Sequence, residues 1–202
     1  MFKIAVFIRC AHDKPLSEGR LLLFQRTINS LKAQLFKHFS VYVITGGIWK
    51  QQGTRENTER IFSLDWGQLN VFLLPDSDIP KHSCNIQIRL DSDDWISPLY
   101  IAKCVDVYQQ TDIDDFIITF RPYFRKNNAL YARDAYSEQK PSAFSVLCQK
   151  TKVKHWCYEV PHTLMAEMVP YVVVVDAGFC VANVHESNMS TRIFTTDRKL
   201  EI

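Results

Sequence analysis

Residues 85–94 read Asn-Ile-Gln-Ile-Arg-Leu-Asp-Ser-Asp-Asp, and this stretch decides how the chain is interpreted. Apolar residues alternate at Ile86, Ile88 and Leu90, which predicts a strand with one buried face. The strand runs directly into three carboxylates. Carboxylates crowded at a strand end repel one another, and a divalent cation with oxygen ligands is the usual partner that offsets this repulsion. The stretch therefore predicts a metal site for a phosphorylated substrate.

A helix is predicted directly after the acids, which places them in a strand-to-helix connection. Ser97 is the predicted N-cap and Pro98 the first helical residue, and the apolar spacing continues to about Thr111. Open α/β sheets bind their ligands in such connections at the carboxyl ends of strands. This context favours Asp91 and Asp93 as ligands for a cation.

The alternative is a solvated turn, because Asp and Ser are good turn formers. Asp76 and Asp78 form a second Asp-x-Asp around Ser77, and turn chemistry is sufficient to explain that one. A calcium loop of the EF-hand type is not indicated. Such loops space their acids over a dozen residues around a central glycine, and the cluster at 91–94 lacks that layout.

The remaining pattern predicts a single α/β domain with a mixed central sheet flanked by helices. The predicted strands are 3–9, 41–45, 71–74, 86–90, 116–120, 123–125, 129–133, 144–147, 171–175 and 179–184, and the predicted helices are 20–35, 98–111, 161–168 and a short one after the polar stretch 51–59. Strands and helices alternate in the first half, which favours parallel pairing with right-handed crossovers. A hairpin turn is predicted at residues 126–128.

Composition excludes several classes of protein. The chain has 202 residues, 47% hydrophobic and 23% charged, which is typical of one globular core. A net charge of +2 provides no electrostatic case for nucleic-acid binding. No run approaches the roughly 18 apolar residues of a membrane span, and the apolar N-terminus is interpreted as a first strand rather than a signal peptide.

The six cysteines form no Cys-x-x-Cys pair, so a structural zinc site is not expected. Several fall in apolar patterns, where a thiol behaves as a small hydrophobic group. We therefore expect a reducing compartment, the cytoplasm, which would be the host cytoplasm if the protein is viral.

The order of these pieces resembles the rhamnosyltransferase group of GT-A-fold glycosyltransferases. The resemblance is carried by Arg9 at the end of the first strand and by the segments 30–34, 89–94, 141–144 and 185–190, of which Arg-Leu-Asp-Ser-Asp-Asp and the late His-x-x-Asn-x-Ser are the most specific. The chain is also similar to the N-terminal glycosyltransferase domain of a multidomain chlorella-virus protein. The resemblance implies a GT-A domain over 1–202, with a nucleotide-binding half at about 1–95 and a half at about 96–202 that completes the acceptor and metal sites.

The resemblance implies a donor site built on the acidic motif. Asp91 and Asp93 match the Asp-x-Asp motif that holds Mn²⁺ or Mg²⁺ on the diphosphate of a UDP-sugar. His185 matches a late histidine that adds a further metal ligand in several members, although a hydrogen-bonded histidine at a strand end is the alternative. Arg9 is expected to face the nucleotide. Arg89 is expected to pair with a neighbouring carboxylate or with phosphate through its planar fork.

The catalytic groups are less well determined by the sequence. Asp94 is a candidate for contact with the donor sugar. An inverting enzyme needs a carboxylate base near the acceptor, for which Glu159 is a candidate together with Asp134 and Asp176. His162, at the start of a predicted helix, is interpreted as structural.

The predicted function is metal-dependent transfer of a hexose or deoxyhexose, with rhamnose and glucose as candidates, from a UDP-sugar to a glycan or glycoprotein acceptor. Two alternatives stay open: an inactive module that binds sugar nucleotides and metal, and a metal-dependent nucleotidyltransferase. The second often carries a glycine-rich phosphate loop, whereas this chain has six glycines and only the pair at 46–47. The chain ends soon after the His185 segment, so acceptor-binding parts are expected in further domains of a longer chain.

Overall fold

The computed structural model describes residues 2–10, 14–46, 54–126, 129–132, 141–183 and 198–200. Within these residues the strands are β1 (Ile4–Arg9), β2 (Ser40–Ile44), β3 (Val71–Leu74), β4 (Ile86–Asp91), β5 (Trp95–Ile96), β6 (Asp115–Phe120), β7 (Tyr123–Lys126), β8 (Ala129–Ala132), β9 (Ser145–Gln149), β10 (Val172–Val175), β11 (Cys180–Asn183) and β12 (Arg198–Leu200). The α-helices are α1 (Glu18–Lys32), α2 (Arg55–Phe62), α3 (Tyr100–Gln110) and α4 (Met165–Met168), and short 3₁₀ turns cover Asp76–Asp78 and His162–Leu164.

Seven strands form the main sheet in the order β10-β6-β9-β4-β1-β2-β3. Its pairs are parallel except for the two made by β9, which runs antiparallel to both β4 and β6. The chain builds outward from β1 to β2 and β3, then returns to place β4 on the other side of β1. The strand order therefore reverses between β1 and β4, and ligands of open α/β sheets bind at this kind of switch point.

The two faces of the main sheet are covered by different parts of the chain. On one face, Val6 and Ile8 of β1 pack with apolar residues of α1 and α3 in the larger core. On the other face, Phe7 packs with Trp156 and Tyr158, which belong to the connection between β9 and β10. Because side chains alternate along a strand, the odd-numbered residues of β1 and β4 all face this connection.

A smaller sheet of five strands, in the order β12-β8-β7-β11-β5, lies next to the acidic segment in the chain. Its strand β5 pairs antiparallel with β11, with Trp95 opposite Val181. Since Trp95 directly follows Asp94, this sheet anchors the far end of the acidic turn while β4 anchors the near end.

The predicted fold class is confirmed, and most predicted strands lie within one or two residues of the observed ones. The predicted hairpin is present, because β7 and β8 pair antiparallel with Lys126 opposite Ala129, although residues 127–128 lie outside the described part. Strands β5 and β12 were not predicted. They are two and three residues long, too short to show an alternating pattern.

The predicted N-cap of α3 is wrong. The helix begins at Tyr100, and its cap residue Leu99 makes no side-chain capping bond. Gln34 supplies the cap instead: its Oε1 accepts from the N–H of Ile101 at 3.1 Å, and its Nε2 donates to the carbonyl of Ser97 at 2.7 Å. Gln34 is fully buried, so the free helix end is satisfied by a side chain from just beyond α1.

All six cysteines are buried and none forms a disulfide. Among the described residues, no helix has the length and apolar character needed to cross a bilayer.

Candidate active site

Arg9 and Asp91 end the two strands at the switch point. They lie opposite each other in the parallel register of β1 and β4, and Arg9 Nη2 is 3.8 Å from Asp91 Oδ1. Both side chains are about one-third exposed, so the pair is at the mouth of the crevice rather than inside the core. A guanidinium and a carboxylate placed here can meet the phosphates and the counter-ion of a nucleotide.

The carboxylate of Asp91 has capacity for a further ligand. Its Oδ1 is buried and accepts no hydrogen bond from the described residues, because Arg9 is beyond hydrogen-bond distance. Buried acceptors normally have a partner, and a carboxylate oxygen is a preferred ligand of Mg²⁺ and Mn²⁺. The residue therefore fits a divalent cation.

Arg89 lies below this pair on the same face of β4. It is 4% exposed, its Nη1 donates to the carbonyl of Val160 at 3.3 Å, and its guanidinium lies 4.3 Å from the ring centre of Tyr158. Burial on an aromatic ring makes Arg89 a fixed positive charge under the crevice. The positive charge of Arg89 makes the electrostatic potential around Asp91 more positive.

His162 also lies at this site, a position that the sequence interpretation missed. Burial, and then the positive charge of Arg89, lowers the pKa of His162 to about 4, while the carboxylate of Asp91 opposes this shift and Arg9 adds to it. His162 follows Val160 by two residues, and the carbonyl of Val160 accepts from Arg89. His162 does begin a short 3₁₀ turn, as expected, and at neutral pH it is an uncharged group that can donate or accept one hydrogen bond.

Asp93 points to a different partner. Its Oδ2 accepts from Arg20 Nη1 at 3.1 Å, and only 11% of the Asp93 side chain is exposed. Arg20 belongs to α1, on the opposite face of the sheet from Tyr158. The two carboxylates of the Asp-x-Asp motif therefore lie beside two different arginines: Asp91 is 3.8 Å from Arg9, and Asp93 is hydrogen-bonded to Arg20.

A polar stripe on α1 fixes the rest of the acidic turn. Thr27 Oγ1 donates to the carbonyl of Ser92 at 3.1 Å, and Ser30 Oγ accepts from the N–H of Ile96 at 3.3 Å. Thr27 and Ser30 are three residues apart and share one side of the helix, and Gln34 follows just beyond its end. Polar residues at core-facing positions of a helix are the signal that could have revealed this contact in the sequence.

Asp94 lies inside the turn. It is 6% exposed, and its backbone N–H donates to the carbonyl of Asp91 at 3.3 Å. Burial, and then the negative charge of Asp94, raises the pKa of Cys180 in β11. Asp94 is therefore the residue of the acidic turn that lies next to the smaller sheet.

Two of the candidate bases, Glu159 and Asp176, lie among the described residues and contact different neighbours. The carboxylate of Glu159 accepts from the N–H of Trp156 at 3.2 Å and lies 3.5 Å from His155 Nδ1, so these contacts stay within its own turn. Asp176 is almost fully exposed after β10, with Oδ1 3.8 Å from Arg121 Nη1. Asp134 and His185 lie outside the described residues.

The metal-ligand set is incomplete within the described part of the chain. No group of three or more His, Cys, Asp or Glu side chains converges there. A magnesium site made of one or two carboxylates plus substrate phosphates does not need three protein ligands. Asp91 fits such a site, and Asp93 would join it only by sharing its carboxylate with Arg20.

Comparison with known proteins identifies the family and the fold of this chain. Residues 72–197, more than half of the chain, match the family described as "Putative rhamnosyl transferase", and the chain belongs to this family. The matched segment contains the acidic turn, Tyr158, His162 and the late His185 region. No curated protein matches the chain by sequence.

Among solved structures, the chain is similar to S. aureus TarS. The TarS 1-349 structure aligns with a TM-score of 0.59 at 14% identity, over 90% of this chain and 60% of that one. The same TarS fragment in complex with UDP-GlcNAc aligns with a TM-score of 0.56 at 11% identity, over 95% and 62% of the two chains. At this identity the likeness establishes the GT-A fold, and the chain spans about three-fifths of the TarS fragment.

Proposed function

We propose that this chain is the donor-binding domain of a glycosyltransferase that uses a UDP-sugar and a divalent cation. The fold and the family support the reaction class. The single observation that carries the site is the Arg9–Asp91 pair at the switch point, in which Oδ1 of the Asp91 carboxylate is buried and accepts no hydrogen bond from the described residues. TarS structures hold UDP and UDP-GlcNAc, which supports a uridine diphosphate donor here.

In this proposal the crevice binds the diphosphate and stabilises it as a leaving group. Asp91 would hold Mn²⁺ or Mg²⁺, and Asp93 and His185 would complete its ligands. When bound, the cation supplies Lewis-acid stabilisation of the departing diphosphate. Arg9 contacts the phosphates directly, and the buried charge of Arg89 favours the negative charge that grows there.

The remaining assignments concern the sugar and the acceptor. We propose Asp94 as the contact to the donor sugar and Glu159 as a candidate base. The transferred group is a hexose or deoxyhexose, with rhamnose and glucose as the candidates, and the acceptor is a glycan or glycoprotein. Residues 1–95 would provide most of the nucleotide site, while 96–202 and further domains of a longer chain would complete the acceptor side. The six free thiols support a reducing, cytoplasmic location.

A second candidate, distinct from the metal-binding module that the sequence leaves open, is an inactive module that binds a nucleotide sugar without metal. The observation that favours it is the Arg20–Asp93 ion pair, because Arg20 already provides Asp93 with a positive partner. In that case the phosphates would be neutralised by arginines alone.

Release of UDP from a panel of UDP-sugars separates these candidates. The purified protein is incubated with each sugar nucleotide and Mn²⁺, or with a chelator, with and without glycan acceptors. We expect Mn²⁺-dependent release for one donor, strongly reduced in Asp93→Ala and reduced less in His185→Ala. Binding of a UDP-sugar that is unaffected by the chelator, with no release under any condition, would support the inactive module.

A further inference from the structure

Tyr158 connects the two strands that form the switch point. It belongs to the segment between β9 and the turn at His162, and it is 2% exposed. Its hydroxyl lies 3.3 Å from the carbonyl of Phe7 in β1 and 3.3 Å from the carbonyl of Leu90 in β4. These carbonyls precede Arg9 by two residues and Asp91 by one.

The hydroxyl can serve both strands only by sharing its proton. A carbonyl oxygen accepts and cannot donate, so the single phenolic hydrogen is divided between two acceptors at long distances. This sharing requires the phenol to be neutral. Burial, and then the negative charge of Asp91, raises the pKa of Tyr158 far above its usual range, so it keeps its proton.

The aromatic ring of Tyr158 also supports Arg89. The guanidinium of Arg89 lies over the ring face at 4.3 Å from its centre, and the neighbouring carbonyl of Val160 accepts from Arg89 at 3.3 Å. The ring of Trp156 packs against the ring of Tyr158, and the two ring centres are 5.7 Å apart. Tyr158 therefore contacts β1, β4 and the buried guanidinium of Arg89.

We propose that Tyr158 is a positioning residue that sets the spacing between Arg9 and Asp91, and so the affinity of the crevice for a nucleoside diphosphate and its cation. The proposal rests on the proposed function for its ligand, but the clamp on β1 and β4 is a property of the unliganded protein. Tyr158 acts through Arg9, Asp91 and Arg89 rather than by touching the reacting atoms.

The test compares Tyr158→Phe with Tyr100→Phe. Tyr100 is also fully buried, and its hydroxyl donates to the carbonyl of Phe144, the residue before β9, at 3.4 Å. It lies in the core on the opposite face of the sheet. Both variants lose one buried hydroxyl and keep the ring, so they have similar costs to folding and differ in the backbone segments they release.

Amide hydrogen exchange in the unliganded protein measures the clamp directly. We expect Tyr158→Phe to speed exchange at Arg9 and Asp91 about fivefold, the factor that corresponds to one net hydrogen bond. Tyr100→Phe should leave these two amides within about twofold of the wild type. Equal exchange at Arg9 and Asp91 in Tyr158→Phe and wild type, or equal acceleration by both variants, would overturn the proposal.

Calorimetric titration of UDP in the presence of Mn²⁺ then tests the consequence. The UDP dissociation constant should rise about fivefold in Tyr158→Phe and stay unchanged in Tyr100→Phe. Unchanged affinity in Tyr158→Phe would remove its role in the site. If the wild type binds no UDP, the proposed function fails, and the exchange rates at Arg9 and Asp91 still decide whether Tyr158 is the clamp.

Discussion

Arg20 and Asp93 form an ion pair across 73 residues of sequence, with Nη1 and Oδ2 3.1 Å apart. The pair ties the first turn of α1 to the second acid of the motif. Asp93 is mostly buried while Arg20 is partly exposed, so the carboxylate depends on this partner more than a surface residue would. Arg20 therefore provides Asp93 with a positive partner in the unliganded protein.

A double-mutant cycle measures this pair. We expect Arg20→Met and Asp93→Asn to be coupled by about 1 kcal/mol in the free energy of unfolding, since the pair is charge-assisted but partly solvated. The matched control is Lys103→Met with Asp106→Asn, a pair on α3 whose side chains are more exposed than those of Arg20 and Asp93, and for which less than about 0.5 kcal/mol is expected. Coupling no larger than in the control would show that Arg20 does not hold the acidic turn.

Gln34 should be among the most stability-sensitive polar residues of the chain. Gln34→Met keeps the side-chain volume but removes the bonds to Ser97 and Ile101 inside the core. We expect a loss of about 2 to 3 kcal/mol in the free energy of unfolding, because two buried backbone groups lose their partners. Gln110→Met, at the exposed end of α3, should cost less than about 0.5 kcal/mol. Urea unfolding of the two variants provides the measurement.

Much of this architecture follows from local patterns, and the unpredicted parts depend on long-range packing. The strand before Asp91 and the helix after it are visible as alternation and helical spacing. The alternation also places Arg89 and Asp91 on one face. It does not reveal which distant segment covers that face, and Tyr158 reaches Phe7 across 151 residues.

The prediction for the start of α3 was wrong because long-range packing also decides where this helix begins. Ser97 followed by Pro98 is a good local signal for a helix start, but Gln34 offers a buried amide with both a donor and an acceptor. Once α1 packs against the acidic turn, that amide satisfies the helix end, and the local signal is overridden. His162 was assigned a structural role for a similar reason, because its neighbours in the site are distant in sequence.

His162 predicts a specific pH dependence of stability. Its pKa is lowered to about 4 in the folded protein from an ordinary value near 6.5, so between these values the unfolded chain binds more protons. The free energy of unfolding therefore falls as pH falls from about 6.5 towards about 4. We expect His162→Gln to remove about 2 kcal/mol of this loss, after allowance for the partial exposure of the ring.

The measurement is denaturant unfolding of both proteins at pH 7 and pH 4.5. His82→Gln, a change at an exposed histidine, is the control. Its free energy of unfolding should change between the two pH values as much as that of the wild type. If the free energy of unfolding falls equally in His162→Gln and in the wild type between pH 7 and pH 4.5, the burial of His162 beside Arg89 would be contradicted.

The central claim is that Asp91, paired with Arg9 at the switch point, binds a cation on a uridine diphosphate. Isothermal titration of UDP, with and without Mn²⁺, into the wild type and Asp91→Asn tests it most directly, with Asp114→Asn at the opposite edge of the sheet as the control. The account predicts Mn²⁺-dependent binding that weakens at least about tenfold in Asp91→Asn, the loss expected for one charged contact, and is unchanged in Asp114→Asn. Equal affinity of Asp91→Asn and the wild type for UDP in the presence of Mn²⁺ would contradict it.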